Sequence, residues 1–179
     1  MSYEAFQSEP LPFEERIAVK GWENRTVDVE TYRRFHQLTT KDFERFWEGV
    51  ASELEWFRKW ERVVEPGEYP NVYRWFPGSL QNISYLCLDR HVRTWRKNKL
   101  AIVWEGEPVD ERGEPKEVRK LTYYDLWRLT NRIAEGLRRV GVKRGSRVAI
   151  YMPMIPELPA VMYACARLGA TFTVVFSGF

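Results

Sequence analysis

The chain has 179 residues, 44% hydrophobic and 30% charged, with a formal net charge of +3, a balance that excludes a disordered tail and is too weakly basic to make a polyanion the default partner. The opening Met1-Ser-Tyr-Glu-Ala-Phe-Gln-Ser-Glu-Pro10 lacks a basic stretch followed by an apolar core, and the longest apolar run, Leu158–Ala166, falls far short of the roughly 20 residues that cross a bilayer. The expectation is therefore a cytoplasmic protein without a membrane segment, whose 8 Trp, 9 Tyr and 10 Phe bury large rings rather than aliphatic layers.

Residues 1 to about 38 are polar, aromatic and poorly periodic, with Pro10 and Pro12 early and Gly21-Trp22 in the middle, and read as an extended arm. Thr39 with Asp42 forms a capping-box pattern, and Phe43, Phe46, Trp47, Val50, Leu54 and Phe57 follow at helical spacing, which predicts one amphipathic helix over about 40–58. Pro66-Gly67 and Pro77-Gly78 punctuate a loop-rich stretch. A second helix over about 83–97 would put Tyr85, Leu88, Val92 and Trp95 on a stripe facing the core, with Arg90, Arg93, Arg96 and Lys97 off it.

Leu100–Glu105 and Val118–Thr122 are β-rich runs around a polar, Gly- and Pro-containing stretch, the pattern of a hairpin with a long loop. Thr122 with Asp125 caps a helix whose apolar residues Leu126, Leu129, Ile133, Leu137 and Val140 keep a regular spacing until Gly141 ends it. A strand over Arg147–Tyr151, a helix of about 157–168 released by Gly169, and a final strand complete one βαβ unit, expected to be right-handed.

That final strand, Ala170-Thr-Phe-Thr-Val-Val-Phe176, is a dense apolar and β-branched run of the kind found at the centre of parallel sheets, with neighbours on both sides. Full burial of Phe172, Val174, Val175 and Phe176 at roughly 1.5–3 kcal/mol each totals about 6–12 kcal/mol, comparable with the roughly 5–15 kcal/mol net stability of a domain. These residues are thus expected to belong to a longer chain, to find another partner, or to leave the C-terminal part loosely folded, and in isolation the chain is expected to self-associate or exchange strands.

Complete catalytic constellations are missing from the sequence. It has no phosphate loop of the Gly-x-x-x-x-Gly-Lys-Ser/Thr kind, no Gly-x-Ser-x-Gly elbow and no His-Glu-x-x-His helix, and only His36 and His91 exist, so neither a catalytic triad nor a metal site is expected. Asp89-Arg90-His91 places three ionisable groups in a row, but adjacent helical residues point about 100° apart and cannot converge on one atom. A structural anchor is expected there. The basic run Arg90–Lys99 reads as a solvated face, because Trp95 falls on the predicted core stripe, and no nucleic acid is expected to bind. Cys87 and Cys165 are far apart and read as free, buried thiols. Tyr151–Glu157 and Ser177-Gly178 both fall at the carboxyl edge of parallel strands, where ligands usually bind. Glu157 could equally favour the positive end of its own helix.

Taken together, Trp75-Phe-Pro-Gly78, Asn82-Ile-Ser-Tyr85, Cys87-Leu-Asp-Arg-His91, Leu121-Thr-Tyr123, Tyr151-Met-Pro-Met-Ile-Pro-Glu-Leu158, Ala164-Cys-Ala-Arg-Leu-Gly-Ala170 and Val174-Val-Phe-Ser-Gly-Phe179 resemble the N-terminal part of the AMP-forming acyl-CoA synthetases of the adenylate-forming superfamily, most closely the acetyl-CoA synthetase family. The resemblance implies an α/β fold that is a partial N-terminal subdomain: an aromatic, helical extension over 1–95, then the incomplete start of an AMP-binding domain over 96–179, with a hairpin and one parallel βαβ unit. It implies ATP, magnesium and coenzyme A for the complete enzyme, none bound by this chain, and no catalytic residue within it. Gly178 alone carries over as a binding position, beside the coenzyme A channel. Ser177, Ser146, Gln81 and Leu86 stand where the family usually has glycine, aspartate, leucine and asparagine. The implied partner is the remainder of the synthetase, in the same polypeptide or as a separate chain. The alternatives are a docking subunit of a split acetyl- or propionyl-CoA synthetase and a basic nucleic-acid-binding module.

Overall fold

A computed structural model describes residues 29–175, and they fall into two compact units. In the first, made of 29–53 and Val63–Trp75, helix α1 (Val29–Lys41) is followed at once by α2 (Phe43–Ser52). The helix thus begins at Val29, inside the predicted arm; the remainder of the arm lies outside the described residues. Thr39 does not cap a new helix. It sits in the last turn of α1, where its hydroxyl donates to the His36 carbonyl at 2.8 Å and Thr40 does the same at 3.0 Å, each bonding back to the preceding turn of its own helix.

Asp42 holds the N-cap position of α2 without a side-chain cap, and α2 stops at Ser52, six residues short of its predicted end. Buried Phe46 meets Phe35 and Trp47 edge to face, with ring centroids 6.2 and 5.3 Å apart, and Trp47 meets Trp75 at 5.7 Å. The stretch predicted as loop contains a short antiparallel hairpin, β1 (Val64–Pro66) with β2 (Tyr73–Trp75).

The second unit takes Leu54–Arg62 and residues 76–175. Residues 54–58 leave helical geometry because they find partners elsewhere in this unit: the Phe57 amide donates to the Leu80 carbonyl at 2.9 Å, Arg58 bridges Leu80, and the Phe57 ring packs 4.8 Å from Tyr85. Tertiary pairing overrides the helical periodicity here.

The predicted helix over 83–97 is two elements. Helical residues 83–92 contain a π-turn at Tyr85–Asp89; the chain then turns extended at Thr94 (φ −117°, ψ 179°), and a 3₁₀ turn follows at Trp95–Asn98. Thr94 caps that turn, its hydroxyl accepting from the Arg96 amide at 3.2 Å. The break resets the phase of the stripe, so Trp95 is 72% exposed instead of buried in the core.

From Leu100 onward the elements match expectation closely. β3 (Leu100–Glu105) pairs antiparallel with β4 (Val118–Thr122), with a register shift between Leu100 and Ile102. Helix α3 (Tyr123–Arg139) opens on the predicted capping box: the Thr122 hydroxyl accepts from the Asp125 amide at 3.1 Å and the Asp125 carboxylate accepts from the Thr122 amide at 3.1 Å. β5 (Arg147–Tyr151), α4 (Glu157–Leu168) and β6 (Thr171–Val175) form the parallel βαβ unit, Val148 opposite Phe172 and Ile150 opposite Val174. Gly169 ends α4 at φ +70°, a left-handed position that glycine adopts without Cβ strain.

α3 and α4 pack against each other, and the core centres on Leu88, Leu126 and Ala160, with Ile102, Tyr123, Trp127, Ile133 and Tyr163 around them. Among the described residues each sheet has only two strands, and the side chains of Val174 and Val175 are exposed. No helix of the described residues is long and apolar enough to cross a membrane.

Candidate functional site

The carboxyl edge of β5 and the groove beside it carry the best-formed candidate site, and both are built wholly from the second unit. β5 delivers Tyr151 to this edge, and Pro153 and Pro156 prevent the strand from continuing, so the chain turns directly into α4. Two side chains of the β3–β4 hairpin hold that turn. Trp104 Nε1 donates to the Met154 carbonyl at 2.6 Å, and Arg119 grips Glu157 bidentately, its two terminal nitrogens 3.1 and 2.5 Å from the carboxylate oxygens. The Arg119 hydrogen bonds hold the Glu157 carboxyl below its usual range. Glu157 is therefore a clamp between hairpin and helix and offers no free carboxylate to a ligand.

The groove has a volume of about 700 Å³ and lies between the helical segment 83–91, the inner face of β3 and the start of α4. Its walls are mainly apolar: Leu86, Ile102, Met154, Ile155 and Leu158 among them, with Arg90 and His91 as charged or titratable members. Burial, and then the Arg90 and Arg96 guanidiniums, hold the His91 imidazole below its ordinary range, so it is neutral at pH 7. Its Nδ1 is buried without a hydrogen-bond partner. On the opposite wall burial pushes the Tyr163 hydroxyl up to about 12, with the neighbouring Cys87 side chain adding to the effect. Cys87 is half-buried and Cys165 buried, and both are free thiols; burial alone raises the Cys165 pKa.

Asp89 turns away from the groove, as the divergence of adjacent helical side chains requires. Its carboxylate accepts from both terminal nitrogens of Arg167, one at 3.2 Å, and from Trp127 Nε1 at 3.0 Å. Arg167 Nε donates to the hydroxyl of fully buried Ser84 at 3.3 Å, and Asn82 Nδ2 reaches the Ala166 carbonyl at 2.8 Å. This network joins the 83–92 segment to α3 and α4 from behind the groove. Asp89, Arg90 and His91 thus divide into one anchor and two lining residues, and no substrate atom could meet all three.

Gly178 and Ser177, the other candidates at this edge, lie outside the described residues. Arg119, Arg167 and Trp104 were not singled out in sequence. Arg119 faces inward on an alternating strand, a local hint of a partner, but the identity of Glu157 as that partner depends on the packing of α4.

A family model described as AMP-binding enzyme matches residues 88–179, and one described as acetyl-coenzyme A synthetase N-terminus matches residues 32–87. The chain belongs to the AMP-binding enzyme family. Within that family it is similar to the N-terminal part of acetyl-coenzyme A synthetases: 52% identical to that of Pyrobaculum aerophilum over 181 aligned positions, covering 100% of this chain and 27% of the relative. It is 43% identical to the acetyl-coenzyme A synthetase of Chlorobaculum tepidum over 84% of this chain and 22% of that protein, and 40% identical to that of Methanothrix thermoacetophila over the same shares. The chain therefore spans about a quarter of the length of the relatives it matches, and its mixed helices and small sheets fit part of an adenylate-forming fold.

Proposed function

We propose that this chain is the N-terminal portion of an AMP-forming acetate–CoA ligase, and that it supplies a wall and a docking surface for the adenylating machinery without turning over substrate alone. In the complete reaction the carboxylate oxygen of the acyl substrate attacks the α-phosphorus of ATP, the bond to pyrophosphate breaks, and the coenzyme A thiol then displaces AMP from the acyl carbon. Two family models that together run from residue 32 to residue 179 carry this reading, with acetyl-coenzyme A synthetase named for the second.

The described residues do not fit a nucleotide–magnesium site. Among them no cluster of His, Cys, Asp and Glu could hold a metal ion, Glu157 is neutralised by Arg119, and the groove is mainly apolar. Phosphate chemistry needs fixed cations and anchored donors, so ATP, magnesium and coenzyme A are assigned to the complete enzyme, with coenzyme A passing near Gly178. The finer architecture of this reading is an extension over 1–95, then the beginning of an AMP-binding domain over 96–179, in the cytoplasm; the two family models meet nearby, at residues 87 and 88.

The occupant proposed for the groove and for the open edges of β5 and β6 is the remainder of the synthetase, in the same polypeptide or as a second subunit. The support is the length of the relatives, of which this chain covers 27%, and a parallel strand pair whose Val174 and Val175 are exposed. The isolated chain would otherwise self-associate along that edge. The purified 179-residue chain, given acetate, ATP and magnesium, is expected to release no pyrophosphate; release would refute the reading. Co-expression with the downstream part of the Pyrobaculum aerophilum relative is expected to co-purify and restore acetyl-CoA formation, and failure of both would overturn the docking role.

A further inference from the structure

The basic run that follows the 83–92 segment is arranged differently from the solvated face its sequence suggests. Trp95 stands 72% exposed at the tip of the 3₁₀ turn, the Arg96 guanidinium 5.4 Å and the Lys99 ammonium 5.1 Å from its ring centroid. Beside it Tyr124, in the first turn of α3, carries the Lys97 ammonium at 4.4 Å and the Arg128 guanidinium at 5.7 Å. The two aromatic–cation groups are neighbours, because Lys97 lies in the same turn as Trp95 and the Lys99 carbonyl accepts from the Tyr123 amide at 3.0 Å. None of these four cations forms a salt bridge with a described carboxylate. Asp125 lies within electrostatic reach of Arg128 but is committed to the Thr122 cap.

We propose that this patch is a binding surface for single-stranded nucleic acid, with Trp95 as a stacking platform and Arg96, Lys97, Lys99 and Arg128 as phosphate contacts. Charge alone would suit any polyanion. The exposed indole favours a nucleic acid: a run of carboxylate side chains has no planar face to lay on it, whereas every base does and contributes stacking irrespective of sequence. A guanidinium or ammonium lying over a ring still presents N–H donors at its edge, where a phosphate oxygen can accept. The turn is rigid enough to present the ring, since the Thr94 cap and the Lys97 and Lys99 amides bonded to the Thr94 and Arg96 carbonyls fix its backbone. None of these patch residues lines the groove, so their role does not rest on the ligase reading.

The test is fluorescence anisotropy of a labelled oligothymidylate of about twelve nucleotides with the full chain, between about 50 and 200 mM salt. Binding is expected to weaken with salt, and the K97S/K99S double variant to lower the slope of log affinity against log salt by about 1.4, at roughly 0.7 for each cation on a single strand. W95A is expected to weaken binding about 5- to 100-fold with little change of slope, and W95F to retain most of the affinity. No retention at low salt, W95A binding like the parent, or polyglutamate of equal length competing as well as the oligonucleotide would each overturn the proposal. So would Trp95-dependent capture by phosphatidylserine vesicles exceeding that by the oligonucleotide, which would make the patch a membrane-facing surface.

Discussion

Arg167 and Asp89, 78 positions apart in the chain, meet in a bidentate ion pair in which both guanidinium nitrogens donate to the carboxylate. Their side chains are 24% and 17% exposed, so the pair is largely withdrawn from water. Trp127 Nε1 and the Ser84 hydroxyl complete its hydrogen bonds, which is the condition under which a half-buried charge pair stabilises a fold rather than straining it. The segment that bears Arg90 and His91 is tied to α3 and α4 through it.

Asp89→Ala should therefore destabilise the second unit by about 2 kcal/mol, since it leaves the Arg167 charge and the Trp127 donor unpaired. Asp89→Asn keeps an acceptor for Trp127 and should cost less. Urea denaturation checks both, a lowered midpoint at constant slope being the expected result; a midpoint equal to that of the parent would show that the pair is dispensable.

Arg119–Glu157 predicts a pH dependence with a definite sign. The Glu157 pKa is lowered in the fold from 4.5, chiefly by its hydrogen bonds with Arg119, so its stabilising contribution is fully present above the unfolded value and is lost as pH falls below about 4.5 through the folded value. Thermal melts from neutral pH to about pH 3 should show a steeper acid decline for the parent than for Glu157→Gln. Parallel curves would contradict the clamp.

At Gly169 two penalties coincide: φ is +70°, and an added Cβ would come within 3.2 Å of Arg144 Cγ. At Gly141 φ is +95°, but nothing lies within 4 Å of the same position. Gly169→Ala should lower the melting temperature more than Gly141→Ala, each substitution costing about 1–2 kcal/mol for the left-handed backbone and the former adding a steric cost. The opposite order in calorimetry would contradict this.

Thr130 is fully buried in α3, and its hydroxyl has no hydrogen-bond partner. Valine has nearly the same shape and no polar atom to desolvate, so Thr130→Val should be neutral or stabilise by up to about 1 kcal/mol. A drop in the denaturation midpoint would reveal a partner for the hydroxyl.

How much of this was legible in the sequence varies along the chain in an orderly way. The β3–β4 hairpin, α3 with its Thr122–Asp125 capping box, and β5–α4–β6 with Gly169 at the turn were all written in short-range signals. The candidate site was legible only as a location, the carboxyl edge after Tyr151, because its clamp needs Trp104 and Arg119 from a hairpin some forty to fifty positions upstream of Met154 and Glu157. The first unit was the least legible: α1 lay within the expected arm, and the β1–β2 hairpin was hidden under Pro- and Gly-rich turns.

What the amino-acid order determined by itself was the family and the elements from Leu100 onward, because their caps, turns and side-chain periodicity are settled by immediate neighbours. What only the tertiary structure decided was which of those surfaces is buried. One extended residue at Thr94 rotated Trp95 out of the stripe its spacing assigned to it, and the Leu80 pairing drew Phe57 out of a helix. Burial and distant ion pairs depend on where separate elements are brought together, and no local pattern encodes that distance.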